Sequence, residues 1–366
     1  MTPAAKLDWC LVKAWLLDEF AYLVPLPGDL STQYLSQRKT FYADRYGDDA
    51  LTPHGGSGRV GISGAFQVKG IGPTPLVGRH ADWLHNHGCM WLEEAVRESL
   101  VGELIHREFP VGSVPVIAII DTGVDASFTL QSPDRRRALV IRPSFYRPAH
   151  MQRAPMFRPV GGDRLSAQFA DARRTRQMTE LLGQMESLRH FAENCARQAG
   201  YAYYHRCFLG GMLSSNWAMD GRICDFGGIT NVDDWSPMEV SPGLPRFGSE
   251  TIQVELALES ICARIGTLRS DFDEPAFLAI RRQFRLLLLA TLDGISATFG
   301  SAAHGFSLSE DGLLSGRGDQ ASQKRFRFNR QAVQKIIWNS TIDPDSLDDS
   351  SVESLIDRLI EDMHNG

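Results

Sequence analysis

The spacing of hydrophobic positions changes several times along the chain, and each change predicts an element. From residue 6 to 24, apolar and charged residues alternate at helical spacing until Pro25 and Pro27 end the pattern. Residues 28–58, rich in Gly, Ser, Thr and Asp, predict irregular chain. RVGISGAFQVKG holds two short strand-like runs around Ser63-Gly64, which is hairpin chemistry. WLEEAVRESLVGELIHREF then puts Leu92, Val96, Leu100 and Leu104 on one helical face. VPVIAIID, Val114 to Asp121, reads as a buried strand, and ALVIRPSFYR, Ala138 to Arg147, contains another that Pro143 ends.

Residues 148–170, with many Pro, Gly and Arg, predict a long loop, and the pattern is helical from about Arg173 to Gln198. A loop and a short strand lead to Asp225-Phe226-Gly227, and 229–250 reads as a further loop. Helices are predicted at 251–268 and 275–298, the second opening on Pro275. Ser350-x-x-Glu353 forms a capping box before an amphipathic last helix. Strands and one helix come first and helices follow. That order predicts an α+β, bilobal fold: a small sheet-based N-lobe with one helix, then a larger helical C-lobe. The expected division is an N-lobe over 1–120, a C-lobe over 121–310, and an extension over 311–366 packed on the C-lobe. A cleft between lobes is a natural ligand site.

Composition narrows this little. The 366 residues are 43% hydrophobic and 22% charged, as in an ordinary globular protein. A formal net charge of −6 gives no global attraction to nucleic acid or anionic membrane. The longest apolar run, LLLLATL at Leu286, is too short to span a bilayer, and the N-terminus does not read as a secretion signal. Six scattered cysteines without a C-x-x-C pair suggest reduced thiols and a cytoplasmic setting. HNHGC (His85, His87, Cys89) offers at most three metal ligands and reads as a solvated loop. QKRFRFNR, 323–330, alternates basic and aromatic residues. It reads as an exposed helix or edge strand, with a grip on an acidic peptide or nucleic acid as the alternative.

The candidate chemistry lies in four places. Gly55, Gly56 and Gly58 precede a strand, where glycine lets backbone N–H groups approach phosphate, and Arg59 adds a cation. Lys69 ends the second hairpin strand. Glu98 sits mid-helix with Trp91, Ala95, Val101 and Ile105 on its side, so its carboxylate needs a partner, although Glu94 shares that side. Asn216 precedes Asp225-Phe226-Gly227 by nine residues, the spacing with which protein-kinase-like folds hold a nucleotide-bound metal. Any one of these is weak. Their order along the chain is a stronger signal than any single motif.

The stretch GSGRVGISGAFQVKGIGPTP resembles the selenoprotein O family, whose members carry a G-D-G-R turn and then an L-Q-L-K-G-A-G-x-T-P strand and loop. LEEAVRESL, RPSFYR and SNWAMDGRICDFGG are similar to later segments of that family, in order, so the resemblance covers about residues 50–235. It implies a protein-kinase-like fold that binds ATP in a flipped orientation and transfers AMP to protein hydroxyls. Gly56, Gly58 and Arg59 would then hold the nucleotide. Lys69, braced by Glu98, would contact phosphates. Arg147 and Arg142 would grip the buried end of the triphosphate, and Asn216 and Asp225 would bind Mg²⁺ or Mn²⁺. Two departures stand out: Ser57 replaces the Asp of the turn, and Ser215 occupies the position of the catalytic Asp. The loop after GPTP carries the insertion WLHNHGCM, so Asp82 is a poor match for the family's nucleotide-contacting Asp.

Loss of a general base costs a rate factor of about 10²–10⁴ rather than all activity, because phosphoryl transition states are loose. An acceptor that is already anionic, such as a carboxylate, needs no base. The expectation is an ATP-dependent nucleotidyltransferase acting on a protein, peptide or small-molecule acceptor. A kinase-type phosphotransferase and an inactive nucleotide-binding protein that works through partners are the alternatives.

Overall fold

The computed structural model describes residues 8–26, 34–48, 52–82, 86–126, 135–240, 243–269, 272–298 and 305–318. His85, the basic-aromatic stretch 323–330 and the helix expected after Ser350 lie outside them. The described residues form a mixed α/β fold. Five strands make one antiparallel sheet in the order β1-β2-β3-β5-β4: β1 (Tyr42–Ala43), β2 (Val60–Ser63), β3 (Phe66–Lys69), β4 (Ala118–Ala126) and β5 (Arg135–Pro143). The β2–β3 hairpin turns at Gly64, whose φ of 57° suits a residue without a Cβ.

The interior strand β5, between β3 and β4, is buried on both faces, and its residues alternate between them. Leu139 and Ile141 meet Val68, Ile120 and Phe20 on one side, Phe20 coming from α1 (Trp9–Phe20). Ala138 and Val140 meet Met90 and Ala95 on the other, Ala95 coming from α2 (Leu92–Glu108). Register fixes the polar residues of that second face. Lys69 pairs with Val140 and Gln67 with Arg142, so Lys69 and Arg142 both project toward α2. The far half of α2, with Leu100, Val101, Leu104 and Ile105, joins a second and larger core. One helix thus spans both cores.

The larger core is built on α4 (Met185–Tyr204), α5 (Thr251–Gly266) and α6 (Glu274–Thr298), with α3 (Arg164–Leu182) alongside. Phe191, Leu258, Ile261, Phe284, Leu288 and Leu292 are fully buried within it. Phe226, of the Asp-Phe-Gly, enters the same core, and a Cβ added at Gly102 would meet its ring at 3.2 Å. Two short hairpins complete the fold: β6 (Cys207–Phe208) with β7 (Thr230–Asn231), and β8 (Ser307–Leu308) with β9 (Leu314–Ser315). No helix among the described residues is long and apolar enough to cross a membrane.

Several expected boundaries move. The strand expected from Val114 begins at Ala118 and runs to Ala126, so the division expected at residue 120 falls inside the sheet. Val114 is otherwise engaged: its N–H donates to Ile223 O at 2.9 Å, next to the Asp-Phe-Gly, and Pro115 has no N–H to continue a ladder. The helix expected from Arg173 to Gln198 is two helices, broken at Gly183-Gln184. The first begins inside the expected loop, where Asp163 caps it by accepting Ser166 N–H at 2.7 Å. The β8–β9 hairpin straddles the second expected boundary near residue 310.

Residues 216–224 fold back as a tight hairpin. Trp217 bridges Ile223, and Ala218 N–H donates to Arg222 O and Cys224 N–H to Asn216 O. Gly221 makes the turn with φ 81°, and a Cβ there would lie 2.4 Å from Asn194 Cβ. Gly221→Ala therefore combines left-handed backbone with a clash, and should destabilise the fold by about 2–4 kcal/mol in denaturant titrations. A loss below about 0.5 kcal/mol would show that this turn does not constrain the hairpin.

Candidate functional site

The two ends of that hairpin carry the nine-residue spacing. Asn216 and Asp225 lie at its open end and both line a cavity of about 550 Å³. The same cavity is lined by Gly56, Gly58, Arg59, Lys69, Arg142, Arg147 and Ser215, so the structure gathers residues that the sequence spreads over 170 positions (56 to 225). Of the expected site residues only Glu98 is not a lining residue.

Glu98 lies just beneath the cavity, 5% exposed, and receives two cations. Lys69 Nζ pairs with its Oε2, and Arg142 Nη2 with its Oε1 at 2.7 Å. Glu94, one turn earlier, pairs with Arg59 Nη1 at 2.9 Å, and Arg59 and Lys69 hold its carboxyl low against the effect of burial. Glu94 and Glu98 are therefore paired with different cations. Burial depresses the Lys69 ammonium below its usual value, with Glu98 opposing.

Arg142 lines the cavity with both terminal nitrogens engaged by the protein. It is 1% exposed, and its Nη1 is engaged by Cys224 O at 2.9 Å while Nη2 is on Glu98. It ties the sheet to α2 and to the residue before Asp225. Arg147 projects from the start of a 3-10 turn (Pro148–Met151), with its guanidinium 4.5 Å from the Phe145 ring centre and 5.3 Å from that of Tyr46. Its Nη1 donates to Ser215 O and, at 2.9 Å, to Cys224 Sγ. Burial keeps the Cys224 thiol high despite Arg147, and pushes Tyr46 up to about 12, so neither serves as a base at neutral pH.

The glycine turn is clamped by the GPTP loop. Thr74 N–H donates to Gly58 O at 3.0 Å, and Thr74 Oγ1 donates to Ser57 O at 2.7 Å. These two bonds join the glycine turn to the loop sixteen residues on.

The donor set at Asn216 and Asp225 fits a hard cation shared with phosphate. Asn216 Nδ2 donates to Gly211 O at 3.0 Å, so the amide oxygen, with Ser215 Oγ 3.5 Å away, is the atom that could meet a cation. Asp225 Oδ1 accepts Gly227 N–H at 3.1 Å. Partial burial pushes its carboxyl up, but Lys69, the Gly227 N–H, Arg59 and Arg142 outweigh that and hold it at about 2. Among the described residues no group of three or more His, Cys, Asp or Glu could hold a metal by itself, so phosphate oxygens or water would have to complete the shell.

Sequence reasoning did not pick out Tyr46, His54, Arg135 and Cys224, which also line the cavity, or Asp44 and His150 behind Arg147; His87, read as part of a solvated loop, and Trp91, read only as a neighbour of Glu98, line it too. The partners Asp44 and His150 are 106 residues apart, and neither lies in a recognisable motif. No protein-family model matches the chain, and no curated protein matches it.

Two outcomes follow from these charges. Glu98→Gln leaves Lys69 and Arg142 buried with one carboxylate fewer, and should cost about 3–5 kcal/mol of stability in denaturant titrations. An unchanged midpoint would contradict the arrangement. Asp225 has a folded-state pKa below its unfolded value. Its stabilisation is therefore present above pH 4 and is lost as pH falls through about 2. The wild type should exceed Asp225→Asn by on the order of 2 kcal/mol at pH 7, and the gap should close between pH 4 and 2.

Proposed function

We propose that the chain is an ATP-dependent nucleotidyltransferase that moves AMP to a protein, peptide or small-molecule acceptor, on a bilobal protein-kinase-like scaffold similar to the selenoprotein O family. The observation that carries this reading is the lining of the cavity. Five cationic side chains (Arg59, Lys69, Arg135, Arg142, Arg147) face it against the two carboxylates Glu94 and Asp225, beside a glycine turn. A triphosphate with a divalent ion matches that balance.

In this reading the Gly56–Arg59 turn and Lys69 bind phosphates, and Glu98 fixes the position of the Lys69 ammonium. Asn216 and Asp225 would hold Mg²⁺ or Mn²⁺, which supplies neutralisation of phosphate charge. Arg147, at the wall near Ser215, holds the terminal phosphates and leaves the α-phosphorus to the acceptor. The acceptor oxygen forms a bond to that phosphorus, the bond to the bridging oxygen breaks, and pyrophosphate leaves. Ser215 offers no carboxylate to take a proton, which suits an acceptor that is already an anion. It also favours a second reading, a nucleotide-binding module without transfer. The six free cysteines, five of them buried, support a reducing compartment such as the cytoplasm.

Incubation with α-labelled and γ-labelled ATP tests the reading. The expected result is retention of α label with pyrophosphate release, lowered at least about 100-fold by Asp225→Ala. Transfer of γ label with ADP formation would make the protein a kinase. Binding of ATP without transfer of either label to any acceptor would leave the binding module.

A further inference from the structure

Arg147 is held from behind by two residues with no assigned role. Asp44, which follows β1, is 2% exposed, and His150 lies in the 3-10 turn after Arg147. His150 Nδ1 accepts the Arg147 backbone N–H at 2.8 Å. The ring therefore carries a proton on Nε2, which donates to Asp44 Oδ1 at 2.9 Å. Asp44 Oδ2 lies 3.6 Å from Arg147 Nε and 3.5 Å from Gln67 Nε2. Burial pushes the Asp44 carboxyl up, but His150 and Arg147 outweigh it and keep it an anion.

The same residue reaches the glycine turn through its backbone. Asp44 O accepts Ser57 N–H at 2.9 Å, and a Cβ at Gly56 would lie 2.3 Å from that oxygen. Asp44 thus touches both elements that face the phosphates. Of the Arg147 nitrogens, Nη1 is on Ser215 O and Cys224 Sγ and Nε faces Asp44, so Nη2 remains for a ligand.

We propose that Asp44 and His150 are positioning residues. Together they fix the Arg147 guanidinium and the Gly56–Arg59 turn at one separation, and so make the cavity selective for a nucleoside triphosphate over the monophosphate. The inference rests on the ATP reading above. A guanidinium held in place before binding loses less freedom when it meets phosphate, and its planar fork must be aimed to bond two oxygens. A monophosphate that does not extend to Arg147 gains nothing from that aim.

Calorimetry on the full chain with ATP, ADP and AMP, each with Mg²⁺, separates the possibilities. Asp44→Asn and His150→Ala should weaken ATP by about tenfold or more and AMP by less than about threefold. His150→Gln, which keeps a side-chain amide donor toward Asp44, should recover most of the ATP affinity. Thermal melts alongside confirm that each affinity is read on folded protein. Equal losses for ATP and AMP, or no loss for either, would overturn the positioning role. A wild type that binds no ATP while remaining folded would remove the nucleotide reading and this inference with it.

Discussion

The structure turns on one buried carboxylate. Glu98 stands on the helix that enters both hydrophobic cores, and it is held by a lysine from β3 and an arginine from β5. Removing any of the three leaves a charge in a poorly solvated place, a cost of several kcal/mol. Lys69 and Arg142 reach Glu98 only because the β3–β5 register puts both on the α2 side, and a slip of one residue would turn them away. Arg142 extends the link to Cys224 O and therefore to the hairpin end next to Asp225. The sheet, the helix and the Asp-Phe-Gly are thus joined through a single side chain.

The remaining site follows from two turns. Gly221 allows the hairpin that brings Asn216 and Asp225 to one cavity wall, and Thr74 fixes the glycine turn opposite. Cationic side chains fill the space between. Carboxylates stand against them on both sides: Glu94 and Asp225 face the cavity, Glu98 and Asp44 lie behind it, and Glu93 pairs with Arg135 at 3.6 Å. Five of the lining side chains are cations and two are carboxylates, and a polyanionic ligand would suit that lining.

Much of this was legible in the sequence where local chemistry decides. The hairpin at Gly64, the helix carrying Glu98 and the last two described helices all follow from periodicity and turn residues. The need for a cation at Glu98 was readable from its neighbours Trp91, Ala95, Val101 and Ile105, but Glu94 shares that side, and only the fold shows that Lys69 goes to Glu98 and Arg59 to Glu94. What was not legible depends on long-range register. The course of β4 past residue 120 is set by pairing with β5, and Val114 leaves the strand because Ile223 takes its N–H. The resemblance implied a phosphate grip for Arg142, and only the β3–β5 register shows that it also bonds Glu98 while lining the cavity. Asp44 and His150 lie in no motif, since their partnership exists only after folding.

The central claim is that the cavity holds ATP with its terminal phosphates at Arg147 and its α-phosphate toward Ser215. A crystal structure with Mg²⁺ and a non-hydrolysable ATP analogue tests it most directly. The account predicts the γ-phosphate within hydrogen-bond distance of Arg147 Nη2, and metal ligation by the Asn216 amide oxygen and an Asp225 oxygen. It also predicts that the Lys69–Glu98–Arg142 contacts stay intact. A γ-phosphate directed at Ser215, or a nucleotide bound elsewhere with this cavity empty, would contradict it.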